Sequence, residues 1–195
     1  TMIAANDKVV LALIGVGGRG TQLILSMLQC TFGVEVKYVC DVDESRGGNA
    51  VQELSRLQGY KPVKVADMRT VLDDKDVDAV VIATPEHWHA LAMVRACRAG
   101  KDVYVEKNVC LSFEEGRKMI GAATENSCVV QCGTQNRSAG YAYAAKEYLS
   151  SGKLGKIVAV KTYCMLPGTR KWVLKPDTPA PTGLDWNQWL GPAEQ

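Results

Sequence analysis

The stretch Lys8–Gly20, KVVLALIGVGGRG, decides how the chain is read. The apolar run Val9–Ile14 ends in Gly15-Val16-Gly17-Gly18-Arg19-Gly20, and Leu23, Ile24, Met27 and Leu28 then recur at helical spacing. Strand, glycine turn and helix in that order suit the pyrophosphate of a dinucleotide. Gly15 permits the sharp turn, Gly17 lets the backbone approach phosphate without a Cβ in the way, and Gly20 lets helix and strand pack closely. The phosphates then face the free N–H groups and positive dipole end of the new helix, held by the glycines, Gly18 included, and by Arg19.

Glycine-rich turns also close ordinary loops, so the next acid matters. The apolar run Val34–Cys40 ends at Asp41, about 20 residues past the glycines. A carboxylate at that strand tip accepts hydrogen bonds from the adenosine ribose hydroxyls, and its charge repels a 2′-phosphate, favouring NAD over NADP. Arg46 lies close enough to complicate that preference. The alternative is that Asp41 caps a helix starting near Asp43–Ser45.

The 195 residues are enough for one well-buried domain and a small addition. Hydrophobic residues at 47% and charged residues at 23% are ordinary for a globular protein, and a net charge of +2 gives no reason to expect nucleic acid or an anionic membrane as partner. No apolar run approaches the roughly 20 residues that span a bilayer. The seven cysteines include no CxxC, and their odd number argues against a disulfide framework and for a reducing compartment. Cytoplasm is the default expectation. The small-residue N-terminus keeps a periplasmic setting open if an export signal was removed. Cys128 and Cys132 read as core, and no zinc site is expected.

Strand-like and helix-like segments alternate to about Ser150, which predicts an α/β fold with a Rossmann-type doubly wound parallel sheet. Helices are predicted over Ser45–Gln58, Met68–Leu72, His89–Ala99, Ser112–Asn126 and Tyr141–Ser150. Ala79–Ala83 reads as a strand buried on both faces. Ser112 and Glu115 stand at capping-box spacing. After Gly155 the character changes, and Lys156–Met165 alternates like a strand of a half-exposed antiparallel sheet. The expected division is a dinucleotide-binding domain over 1–152 and the start of a second α/β domain over 153–195, including the tryptophan-bearing Asp185–Leu190. One strand and that tail cannot make a domain, so the chain is expected to stop inside it.

Ligands of open parallel sheets bind beyond the carboxyl ends of the strands. The loops there hold Gly15–Gly20, Asp41, Thr84-Pro85-Glu86-His87-Trp88-His89, Glu106-Lys107-Asn108 and Thr134–Arg137. Thr84, Pro85, His87, Trp88 and His89 are expected to shape the cofactor cleft, although His89 could simply begin a helix. No carboxylate–cysteine set accompanies the histidines, so no metal is expected. Lys107 is the candidate catalytic residue. Apolar walls would lower its pKa and let it exchange a proton with a carbinol oxygen, provided that Glu106 does not pair with it.

These motifs, GVGGRG, CDVDESR, ATPEHWH, AGKDVYVEKN, QCGTQNRS, LGKI and LDWNQWLGP, occur in an order that resembles the Gfo/Idh/MocA oxidoreductases along essentially the whole chain. The resemblance implies a Rossmann domain followed by an α/β domain that usually forms the oligomer interface, so the full-length form would be a homo-oligomer. It implies a tightly bound NAD or NADP, here NAD with NADP less favoured, and hydride transfer at a hydroxyl of a small-molecule sugar or cyclitol. By the same resemblance Glu106 lies near the nicotinamide ribose, Lys107 acts catalytically, and Gln135 and Asn136 lie near the nicotinamide end. Asn108 stands where the family carries proline, and no histidine follows His89 to match the one the family uses in its second domain. Two other readings stay open. One is a glycosidase that oxidises and re-reduces its sugar with no net redox change. The other is a dinucleotide-binding fragment without catalysis.

Overall fold

Val9–Ile14 pairs with two neighbours at once, and the sheet grows outward from it in both directions. In the computed structural model, which describes residues 8–30, 33–163 and 176–193, this strand, β1, lies between β2 (Val34–Cys40) and β4 (Ala79–Ile82). With β3 (Val63–Val65), β5 (Asp102–Glu106) and β6 (Val130–Gly133) the order is β3-β2-β1-β4-β5-β6, every pairing parallel. The strand order reverses between β1 and β4, where the carboxyl ends open a ligand crevice. The expected doubly wound fold is what forms.

Strand alternation sorts the core into two layers. Leu11 and Leu13 of β1 pack with Ile24, Val36, Val39 and Leu54 on one face. Ala12 and Ile14 point the other way and pack with Val80, Ile82, Met93 and Val105. Helices α1 (Gly18–Cys30) and α2 (Gly48–Gln58) supply the first layer, and α4 (His89–Arg98) and α5 (Phe113–Glu125) the second; the short α3 (Met68–Asp73) follows β3. Each fully buried Leu or Ile contributes about 1.5–3 kcal/mol by leaving water. Ser112 caps α5 by accepting from the Glu115 N–H at 3.2 Å, and the Glu115 carboxylate reaches back to the Leu111 N–H at 2.7 Å. This is the predicted capping box, closed one residue earlier than the usual pattern.

Four segments differ from the sequence reading. The helix expected from Ser45 starts at Gly48, because Gly47 takes a left-handed conformation with φ 85°. Lys156–Tyr163 forms no strand: alternation makes a strand only where a partner offers backbone bonds, and the described residues offer none. Cys164 and Met165, the end of that predicted strand, lie outside the described residues. Cys128 and Cys132 are half-buried against the core rather than inside it.

The chain divides into two compact units, Thr1–Gly133 with Pro181–Gln195, and Thr134–Ala180. This division differs from the expected boundary after residue 152: the tail with α7 (Trp186–Leu190) belongs to the first unit. The second unit holds a 3-10 helix, Gln135–Ser138, and α6 (Gly140–Ser150). No helix among the described residues is long and apolar enough to cross a membrane.

Candidate functional site

The glycine turn sits at the switch point between β1 and β4. Gly15 has φ 90°, and a Cβ there would come within 2.6 Å of the backbone of Ala83 and Thr84. A Cβ on Gly20 would overlap the carbonyl oxygen of Gly15, so the first turn of α1 lies directly on the loop. The first backbone N–H groups of that turn have no partner within the helix. Glycine at both positions thus lets β1, the β4 loop and α1 approach this closely, and the helix N-terminus beside the turn is the kind of place that favours an anion such as phosphate.

Asp41 braces the turn from the tip of β2. Its Oδ2 accepts from the Val16 N–H at 2.7 Å and its Oδ1 from the Asp43 N–H at 3.0 Å. Because α2 begins only at Gly48, Asp41 is not a helix cap. Each carboxylate oxygen keeps a free lone pair for a further donor. Asp43 accepts from the Ser45 hydroxyl and from Arg46 Nε, and these bonds, the Ser45 one foremost, hold its carboxyl below the usual range. The Arg46 guanidinium would lie 3.3 Å from a Cβ on Gly17.

Beside these groups opens a cavity of about 660 Å³, lined by Gly15, Gly17, Asp41, Arg46, Thr84 and Trp88 together with tail residues. That size is ordinary for a small-molecule or cofactor site, which spans about 300–1,000 Å³. The Thr84 hydroxyl is buried here without a hydrogen-bond partner. It is a polar atom still available to a bound ligand.

At the carboxyl end of β5, Glu106 is buried. Its Oε1 pairs with Arg19 Nε at 2.8 Å, and its Oε2 accepts from the backbone N–H of Lys107 at 3.1 Å. The Tyr104 hydroxyl is pushed up, first by burial and then by the Glu106 charge. Asn108 donates through Nδ2 to Glu86 at 3.0 Å, so a side-chain bond ties this turn where a proline ring would stiffen it. Lys107 itself is exposed, not buried as the sequence reading expects.

The three aromatic residues of the His87-Trp88-His89 run have separate places. Trp88 lines the cavity. His89 begins α4 and is 1% exposed beneath the loops, with Nδ1 2.6 Å from the Asn108 carbonyl and Nε2 2.9 Å from that of Thr84. It ties the β4 and β5 loops together and does not line the cavity, as does neither His87, which donates through Nε2 to the Trp189 carbonyl at 2.9 Å. Pro85 lines the cavity, whereas Gly18, Gly20, Arg19, Glu106 and Lys107 lie outside its lining. Gln135 and Asn136 are exposed on the 3-10 helix of the second unit. Leu184, Trp186 and Trp189 also line the cavity; the sequence does not name them, because their partners in the β2 and β4 loops lie far away along the chain.

A family model described as an oxidoreductase family with an NAD-binding Rossmann fold matches residues 9–134. Levoglucosan dehydrogenase of Pseudarthrobacter phenanthrenivorans is 30% identical over 135 residues, covering 69% of this chain and 32% of that protein. Alpha-N-acetylgalactosaminidase of Shewanella oneidensis is 31% identical over 136 residues, covering 66% and 29%. The chain thus spans about a third of the length of these relatives. Myo-inositol 2-dehydrogenase of Lactobacillus plantarum shares the fold with a TM-score of 0.67 at 23% identity, over 78% of this chain and 44% of that one. The sheet therefore has known counterparts, and the chain belongs to the Gfo/Idh/MocA oxidoreductase family, with its NAD-binding Rossmann fold.

Proposed function

We propose that this chain carries the cofactor half of an NAD-dependent oxidoreductase that moves a hydride at a hydroxyl-bearing carbon of a sugar or cyclitol. The observation that carries the reading is Asp41, hydrogen-bonded to the glycine turn at Val16 and lining the same cavity as Gly15 and Gly17. The names of the relatives, levoglucosan dehydrogenase and myo-inositol 2-dehydrogenase, support the substrate class.

The residues divide the work by position. Gly15, Gly17 and the first turn of α1 take the pyrophosphate on backbone N–H groups, and Asp41 takes the adenosine ribose hydroxyls. NAD, when bound, supplies the hydride acceptor. Lys107 receives at Nζ the proton that leaves the substrate hydroxyl, and returns it in the reverse direction. Arg19 holds Glu106, so that carboxylate is engaged with the guanidinium. Asp41 and Asp43 together outweigh Arg46, which is already paired with Asp43, so NAD is preferred to NADP.

Thermal unfolding with each nucleotide tests this. A ligand at 100 times its Kd stabilises by about 2.7 kcal/mol, so NAD at millimolar concentration should raise the midpoint by several degrees and NADP by less. No shift with either would sink the reading.

The second reading, a glycosidase with no net redox change, is favoured by the likeness to the Shewanella oneidensis alpha-N-acetylgalactosaminidase. The complete natural protein, given an aryl glycoside, separates the two. Free sugar without accumulating NADH selects the glycosidase; NADH produced in step with a carbonyl product selects the dehydrogenase.

A further inference from the structure

The tail segment Pro181–Leu190 is bonded to the loop that carries the cavity's acids. The Glu44 N–H donates to the Gly183 carbonyl at 2.9 Å, the Asp185 N–H to that of Val42 at 3.1 Å, and Leu184 forms an antiparallel bridge with Asp43. Farther along, the Trp189 carbonyl accepts from Trp88 Nε1 and from His87 Nε2, each at 2.9 Å. Gly191 ends α7 with φ 51°, and a Cβ there would overlap the Trp88 indole. The tail is therefore fitted to both the β2 and the β4 loops.

Trp186 and Trp189 stack on each other with ring centroids 5.0 Å apart and 13° between planes, and both line the cavity. The same cavity is lined by Val42, Asp43 and Met68, residues that follow β2 and β3. With the ribose on Asp41, the base of a nucleotide extends past the β2 tip into this part of the crevice. A purine there needs a flat apolar surface, which indole supplies.

We propose that Trp186 and Trp189 form the adenine-binding wall of the dinucleotide site, and that Pro181–Leu190 is the strap that holds this wall in place. The proposal rests on the dinucleotide reading above. It assigns base recognition to a segment outside the glycine-rich half of the fold.

Base stacking on an aromatic side chain is worth about one to two powers of ten in affinity. Trp186 is 45% exposed, so its truncation leaves the core intact. Binding of NAD, adenosine monophosphate and nicotinamide mononucleotide to the 195-residue chain is measured by calorimetry, with the ligand-free thermal midpoint as control. Trp186→Ala should weaken NAD and adenosine monophosphate about tenfold or more and leave nicotinamide mononucleotide within about twofold, while Trp186→Phe keeps most of the affinity. Adenosine monophosphate should also quench the indole emission of the unaltered chain, a measurement that needs no substitution. Unchanged affinity in Trp186→Ala together with no quenching would overturn the proposal while the dinucleotide reading stands. Loss confined to nicotinamide mononucleotide would overturn it as well. An unaltered chain that binds neither NAD nor adenosine monophosphate overturns both readings.

Discussion

Arg19 Nε lies 2.8 Å from Glu106 Oε1, joining the first turn of α1 to the carboxyl end of β5. The carboxylate is 5% exposed and the guanidinium 37%, so the acid depends on this partner more than the base does. The pair also decides the setting of Lys107, whose neighbouring acid is engaged elsewhere. Removing Arg19 leaves a buried carboxylate without its cation, while the partial exposure of Arg19 lets water recover some of the loss. Arg19→Ala should cost about 2 kcal/mol and lower the thermal midpoint by roughly 4–8 °C, and Glu106→Gln in the same chain should restore part of it. Equal midpoints for Arg19→Ala and the unaltered chain would show that the pair adds nothing.

His89 gives a second test, because its ring faces two carbonyls that no other described side chain reaches. Thr84 and Asn108 stand at the ends of different strands, and His89 fixes their spacing from underneath. His89→Ala removes the ring nitrogens that face the two carbonyls, of which a neutral ring can donate to one at a time, and opens a cavity in a site 1% exposed. A loss of about 3 kcal/mol in urea unfolding is expected. If Lys107 acts on substrate, turnover of the complete protein should fall more than cofactor affinity does, since the β5 loop is the part released. A stability loss without any change in turnover would separate His89 from the position of Lys107.

The glycine run yields a contrast between neighbours that look alike in sequence. A Cβ at Gly20 meets the Gly15 carbonyl, whereas a Cβ at Gly18 meets nothing within 4 Å. Gly18→Ala should therefore fold as well as the parent or gain about 0.4–1 kcal/mol from reduced unfolded-chain freedom. Gly20→Ala should lose several kcal/mol and NAD binding with it, because backbone and helix must part. Matched denaturant midpoints for the two variants would refute this division.

Much of this was legible in the sequence for a physical reason. Alternation of buried strands with amphipathic helices is a period signal, and the glycine turn, Asp41 and the Ser112 cap are local chemistry within a few residues. The errors lie where long-range partners decide. Lys156–Tyr163 alternates correctly but has no strand to pair with among the described residues. The strap at Pro181–Leu190 reaches Trp88 across about a hundred positions, and nothing in its own composition names that contact. His89 illustrates both sides: its place at the head of a helix was readable, but its burial between two loops was not.

Acid stability offers the last test, at the cluster around Asp74. Its carboxylate is held by Lys37 Nζ at 2.7 Å, the Tyr38 hydroxyl at 2.8 Å and the Asp76 N–H at 2.9 Å. Lys37 foremost draws its pKa down to about 2, against an ordinary value near 3.9 in the unfolded chain. A lowered folded-state pKa means that the unfolded chain binds the proton first as pH falls. The stabilisation is thus fully present above about pH 4 and is lost as pH drops toward about 2. Asp74→Asn lacks the titrating group, so its deficit against the parent should be largest at pH 6 and shrink steadily between about pH 4 and 2. Urea midpoints at pH 6, 4 and 2.5 measure it, and a deficit that stays constant across that range would show that Asp74 contributes through shape and not through charge.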